Sequence, residues 1–340
     1  MGKVVCFGEL LVRFSAEGYL RFPQANMFSA TYTGAEGNVA LALSNFGLES
    51  SFVTKLPKNE IAQNAIRQLK AYDVDVSDII FGGDRIGIYY IEKGASQRPS
   101  KIIYDRKHSS FADSSITDYD WDKIFSDAEW FHFTGITAGL SDSCAELCAI
   151  ACKKAKEHGV TVSCDLNYRK ALWTREKARE VMIPLMENID VLFANEEDCF
   201  DSLGISVENS NIEQGTLNYD GYKGLASILT QRFNLKYVSI TLRESLSASD
   251  NNWSGLLFDG RNAYISKKYK IHLVDRVGGG DSFASGMIYA LIQGYEPQQA
   301  VEFAAAASCL KQTIEFDYNL STVEEILNLA NGNGSGRVQR

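Results

Sequence analysis

The sequence predicts an α/β fold: a doubly wound, mostly parallel sheet flanked by helices, with a small β-sheet lid. Three observations carry this prediction. From Ala128 onward, short apolar runs alternate regularly with helical patterns. Earlier in the chain, two aromatic and polar stretches show no helical period. Late in the chain, Gly278-Gly279-Gly280-Asp281 stands directly before a long apolar helical segment. The 340 residues suffice for one large α/β domain. It is placed at 1–331, with lid segments at about 10–33 and 86–106.

Taken in order, Lys3 to Gly8 is a short apolar run ending in glycine, which suits a strand covered on both faces. Leu10 to Thr33 carries Phe14, Tyr19, Phe22, Phe28 and Tyr32 and reads as short strands of the lid. Thr33-Gly34-Ala35-Glu36-Gly37-Asn38 opens a helix through Val39, Leu41, Leu43 and Phe46. Ser51–Leu56 is a strand and Ile61–Tyr72 a helix. Ile86–Glu92 and Lys101–Arg106 are strand-like around a turn and join the lid. The regular alternation follows. Its strands are Trp130–Phe133, Val160–Cys164, Val191–Ala194 and Tyr237–Thr241. Its helices are Asp142–Glu157, Thr174–Glu187, Glu196–Leu203 and Lys223–Phe233. The polar stretch from Ser206 to Tyr222 reads as a surface insertion. Trp253 to Ser266 reads as a hairpin around Asp259-Gly260. Helices Gly280–Gln293, Pro297–Thr313 and Thr322–Ala330 close the fold. Residues 332–340 form a Gly/Asn/Ser-rich tail expected to be disordered.

Composition narrows the function. The net charge of −9 and the absence of a basic stripe argue against a nucleic-acid partner. No apolar run reaches about 18 residues, so no membrane span is expected. The seven cysteines are scattered without zinc-ligand spacing, which suggests a reducing cytoplasm. Cys144, Cys148 and Cys152 fall on one helix face and read as small buried residues.

Five motifs sit at predicted strand ends or helix starts. The glycines Gly278, Gly279 and Gly280 leave backbone amides open beside a helix N-terminus, which makes an anion site. Asp281 there either caps the helix or takes a proton from an attacking hydroxyl. Gly34 and Asn38 either open a helix or meet a ligand. In Asp165-Leu166-Asn167-Tyr168-Arg169, the guanidinium of Arg169 suits a carboxylate or phosphate, or a surface ion pair. Asn195-Glu196-Glu197-Asp198 suits hydrated magnesium, and equally a helix first turn. Thr241-Leu242-Arg243-Glu244-Ser245 carries the same ambiguity. The glycine loop matches neither the Walker A spacing nor the dinucleotide pattern Gly-x-Gly-x-x-Gly.

Two of these motifs resemble those of the ribokinase/phosphofructokinase-B family of carbohydrate kinases. The first is Gly34-Ala35-Glu36-Gly37-Asn38-Val39-Ala40. The second is Asp275 to Asp281, with Gly279 where the family has alanine. The acidic motif has Asp198 where the family has glutamate. Within the family, Gly87-Ile88-Tyr89, Tyr104-Asp105-Arg106, Asn167-Tyr168-Arg169 and Asp317 resemble the 2-keto-3-deoxygluconate kinases. The resemblance implies a ribokinase-like fold and transfer of the ATP γ-phosphoryl group to a sugar acid, with Asp281 as base and Gly278–Gly280 holding the phosphoryl group. It implies substrate contacts at Gly34, Asn38, Tyr89, Tyr104, Arg106, Arg169 and Asp317. Adenosine is expected along Asn195, Thr241, Arg243, Ser245 and Ser308, with magnesium reached through water from Asn195 and Asp198. It further implies a potassium site bordered by Asp275 and Val277, and a homodimer joined through the lid.

Overall fold

The computed structural model describes residues 2–206 and 219–334. Among these residues the main sheet has nine strands. Across the sheet they run Ala263–Ile265, Asp250–Phe258, Tyr237–Ser245, Val191–Ala194, Thr161–Asp165, Ala128–Thr134, Lys3–Phe7 and Ser50–Val53. Tyr269–His272 also pairs with Asp250–Phe258. Every pairing from Tyr237–Ser245 to Ser50–Val53 is parallel, and those involving Asp250–Phe258 are antiparallel.

The strand Lys3–Phe7 shows why this sheet is covered on both sides. Val4, Val5, Cys6 and Phe7 are all fully buried. Alternate residues point to opposite faces. Val4 and Cys6 pack into a core with helices Ala35–Asn45, Gly279–Ile292 and Pro297–Lys311. Val5 and Phe7 pack into a second core with helices Asp142–Glu157 and Arg175–Leu185. The three cysteines on helix Asp142–Glu157 are buried as expected, and all seven thiols are free and buried.

From Lys3–Phe7 the chain first winds outward to Ser50–Val53, then returns to Ala128–Thr134 on the other side. The winding reverses between these neighbours. Ligands of open α/β sheets bind at the carboxyl ends of the strands beside such a reversal. Above that edge lies a second sheet, in the order Phe28–Thr33, Leu11–Ala16, Gly87–Glu92, Lys101–Asp105. It is built from the aromatic segments. Phe14 and Tyr90 stack at 5.4 Å within it.

Three local expectations change. The strand expected to stop at Thr241 continues to Ser245, because it pairs residue by residue with Asp250–Phe258. The hairpin expected at Asp259-Gly260 is present, with the Asp259 carboxylate accepting from Arg261 N at 2.8 Å and Asn262 N at 2.6 Å. Its first strand starts at Asp250 rather than Trp253. The insertion expected at 206–222 lies outside the described residues over 207–218. Its end belongs to helix Tyr219–Phe233. Most of the expected tail also lies outside them. Among the described residues no helix is long and apolar enough to cross a membrane.

Candidate active site

Gly278 starts the site. Its backbone is left-handed, with φ of 80°, and a Cβ there would stand 2.2 Å from the Asp317 carbonyl oxygen. Only glycine meets both conditions without strain. The helix Gly279–Ile292 begins immediately, with Ser282 N–H donating to Gly278 O at 2.9 Å. The first-turn N–H groups of a helix have no partner in the helix itself. Those of Gly280 and Asp281 have no acceptor among the described residues. A Cβ at Gly280 would meet no atom within 4 Å. The N-terminus therefore offers open donors and the positive end of a helix, which suit an anion.

Asp281 projects from this turn and keeps a partly exposed edge. Asn38 Nδ2 donates to its Oδ2 at 2.7 Å. Burial pushes the carboxyl up to about 7, helped by the charges of Asp317 and Glu36 and opposed by the Asn38 bond and Arg169. A base that titrates near neutrality is well matched to proton abstraction at neutral pH.

Behind Asp281 runs a buried polar network. Asn38 Oδ1 lies 2.9 Å from the Thr33 hydroxyl, which also bonds the Asp317 carboxylate. Asp317 accepts from Tyr89 OH at 2.8 Å and from Arg13 Nη1. Arg13 Nη2 reaches Asp275 at 2.5 Å, and its Nε reaches Ser15 Oγ at 2.8 Å. Arg13 is 0% exposed. Burial acts to lower its pKa, but the charges of Asp317 and Asp275 outweigh that and raise it. Sequence reasoning missed this arginine. Its signal was one cation inside the apolar run Leu10-Leu11-Val12-Arg13-Phe14.

The remaining predicted residues divide by neighbourhood. Gly34 starts helix Ala35–Asn45, where a Cβ would collide with Glu9 O at 2.1 Å. Tyr104 is exposed, its ring 5.7 Å from that of Tyr89. Arg106 does not offer a free guanidinium: its Nε donates to Glu9 Oε2 at 2.7 Å, and Ser109 bonds the other oxygen. Glu9 was also missed. Arg169 is exposed and has no ion pair at contact distance among the described residues; its Nη1 donates to Tyr168 O at 3.0 Å. Its charge nevertheless reaches Asp165, Asp198 and Asp281.

Asn195 caps helix Glu196–Leu203, accepting from Asp198 N and donating to Asp198 Oδ2, both at 2.8 Å. Burial pushes the Asp198 carboxyl up to about 7. Burial, then the charges of Asp198 and Asp281, push Asp165 well above its usual range. Among the described residues no group of three or more His, Cys, Asp or Glu is placed to hold a metal ion. Asp198 and Asp281 both raise Asp165, and carboxylate oxygens grouped in this way suit a hydrated cation.

Thr241, Arg243 and Ser245 lie within a paired strand, not in a loop beyond one. Arg243 is exposed there, beside half-buried Arg276. Burial and the Arg243 charge pull the Arg276 guanidinium below its usual range. Neither arginine has an ion-pair partner among the described residues. Ser308 is fully buried, and its hydroxyl donates to Gly279 O at 2.7 Å, so it steadies the loop from within. The potassium site expected at Asp275 and Val277 does not fit. Their carbonyl oxygens accept from Lys311 Nζ, as does Phe316 O. An ammonium already stands where the metal would.

Residues 1–215 and 254–315 match the model of the pfkB family of carbohydrate kinases. The crystal structure of a 2-dehydro-3-deoxygluconokinase from Thermotoga maritima is similar, with a TM-score of 0.94 at 49% identity. The match covers 98% of this chain and 100% of that one. A 2-dehydro-3-deoxygalactonokinase from Haloferax volcanii is 30% identical over 339 residues, which is 98% of each chain. A 2-dehydro-3-deoxygluconokinase from Thermoproteus tenax is 27% identical, over 91% of this chain and 88% of its own.

Proposed function

The chain belongs to the pfkB family of carbohydrate kinases, and from that premise we propose that it is an ATP-dependent sugar-acid kinase acting on the primary hydroxyl of 2-keto-3-deoxygluconate. The product is 2-keto-3-deoxy-6-phosphogluconate. One observation carries the mechanism: the Asp281 carboxyl, raised to about 7, stands beside first-turn amides that have no partner. ATP, bound as its magnesium complex, supplies the γ-phosphoryl group. Asp281 takes the proton from the sugar hydroxyl as its oxygen bonds to phosphorus and the bond to the β-phosphate oxygen breaks. The Gly280 and Asp281 amides stabilise charge on the transferring group. Arg243 and Arg276 offer positive charge to the nucleotide phosphates, and Asp165 and Asp198 would hold hydrated magnesium, which would neutralise phosphate charge. Ordering of the sugar against Asn38 and Asp281 supplies orientation.

The sugar-acid reading is supported by the similar Thermotoga kinase and by Arg169, an exposed guanidinium close to the acidic residues around Asp281. The Haloferax relative favours a second reading, the 2-keto-3-deoxygalactonate epimer. We place the reaction in the cytoplasm, in keeping with the free thiols. A lid-to-lid homodimer is supported by strand Lys101–Asp105, exposed along its whole length at a sheet edge. Light scattering on the purified protein tests the dimer.

A coupled ATP-consumption assay tests the activity on both keto-deoxy acids, 5-keto-2-deoxygluconate, fructose and ribose. The highest kcat/KM is expected for 2-keto-3-deoxygluconate. Preference for a neutral sugar would refute the sugar-acid reading, and preference for the galactonate would move the assignment to the epimer.

A further inference from the structure

Lys311 is the last residue of helix Pro297–Lys311 and is fully buried. A lysine at a helix C-terminus often turns back onto the last carbonyls of its own helix. This one does not. Its Nζ donates to Asp275 O at 3.1 Å, to Val277 O, and to Phe316 O at 2.5 Å. An ammonium has three N–H groups and no acceptor, so these three carbonyls saturate it. Two of them belong to the segment that leads into Gly278. The third is held by a strained backbone: Phe316 has φ of 64°, uncommon for a bulky residue. The next residue, Asp317, sets its own carbonyl against Gly278. A ring of backbone carbonyls is the kind of cage that replaces the hydration shell of a potassium ion. Here it is closed around a covalently attached cation.

The surrounding charges agree. The carboxylates of Asp275 and Asp317 are both bonded to Arg13, leaving two anions against one guanidinium. Lys93 lies at the margin, 3.9 Å from Asp275. The Lys311 ammonium supplies the second buried positive charge. A further monovalent cation would have to displace it from the same oxygens.

We propose that the Lys311 ammonium stands in for a monovalent cation beneath the phosphoryl loop, fixing the carbonyls of Asp275, Val277 and Phe316 and making this protein independent of potassium. The proposal rests on reading the 275–281 loop as the phosphoryl site. Lys311 is a positioning residue: it acts through the loop and touches no substrate.

The test compares potassium chloride with choline chloride at equal ionic strength, reading both thermal midpoint and turnover. The wild-type protein is expected to show the same values in both salts. A filled potassium site would raise the midpoint by about 3–4 °C, or raise turnover, and either result in the wild-type protein overturns the proposal. Lys311→Ala is expected to lose turnover about tenfold or more in choline. Potassium should restore it in part and raise the variant's midpoint, because the vacated carbonyls then accept the ion. Wild-type turnover of the variant in choline, or a loss that potassium does not touch, also overturns the proposal. Should the variant fail to fold, the wild-type comparison decides. The midpoint measurement needs no substrate, so a wrong sugar assignment leaves it intact.

Discussion

Replacing Asp281 with asparagine separates a catalytic base from a helix cap. The amide keeps the shape, and its oxygen can still accept the 2.7 Å bond from Asn38 Nδ2. As the proton acceptor, Asp281 is worth about 10²–10⁴ in turnover, which Asp281→Asn should lose. Stability should move the other way. The folded carboxyl titrates near 7, raised mainly by burial, whereas in the unfolded chain it titrates at about 3.9. Between those values the folded state holds the extra proton, so stability falls as pH rises from about 4 to about 7 and stays lowered above. At pH 8 the cost has a ceiling of about 4 kcal/mol, and at pH 5 it is about 1.5 kcal/mol. Unfolding entropy for a chain of this length is on the order of 0.7 kcal/mol per kelvin. Because the carboxyl keeps an open edge that water screens, Asp281→Asn should raise the midpoint by about 3–5 °C at pH 8 and about 1–2 °C at pH 5. Scanning calorimetry at both pH values and a steady-state assay read the two effects. Turnover within about tenfold of wild type, or a midpoint that falls at pH 8, would refute the reasoning.

The same carboxyl predicts a wild-type kcat/KM that rises about tenfold from pH 6 to pH 8. Asn38→Ala removes a bond that holds the Asp281 pKa down, so that rise should move to higher pH. Gly278→Ala should fold poorly, since it combines φ of 80° with a Cβ 2.2 Å from a carbonyl oxygen. Gly280→Ala has open space and should keep or raise the thermal midpoint while losing turnover, because its methyl would intrude on the proposed phosphoryl site. Arg169→Ala should raise KM for a sugar acid much more than for a neutral sugar, and equal effects on both would make the arginine a phosphate contact. Arg13→Met should destabilise the protein by about 3–5 kcal/mol in urea unfolding, because it leaves two buried carboxylates short of a partner.

The parallel strands were legible because their burial on both faces is written locally, as in Val4 to Phe7. The glycine loop was legible for the same reason: Gly278 answers to its own φ and to one neighbouring carbonyl. Pairing was harder to read. Nothing within Tyr237–Ser245 says that its last four residues stay in a ladder, because that depends on Asp250–Phe258 across the turn. The buried ions were hardest. Arg13 finds Asp317 304 residues away, and Arg106 finds Glu9 97 residues away. Lys311 looks in sequence like an ordinary basic helix end. A charge in an apolar run announces that a partner exists but not which one, and nothing near Arg106 in sequence names Glu9.

These buried charges also constrain how the lid can move. Arg13 and Tyr89 lie on the two inner lid strands, and both bond Asp317, whose carbonyl abuts Gly278. The inner lid is thereby fastened to the base of the 275–281 loop. Swinging the whole lid as a plate would break the Arg13 pairs and strand buried carboxylates, at about 3–5 kcal/mol. Strand Lys101–Asp105 makes no such pair to the core. Its residues are exposed throughout, and the Arg85–Asp105 bridge at its end lies at the surface, where ion pairs contribute about 1 kcal/mol or less. Arg106, the next residue, does pair with buried Glu9, and the turn before the strand bonds to Ala248 and Ser249. Only the stretch between these anchors is therefore loosely held, with Tyr104 on that looser edge and Tyr89 on the fixed one.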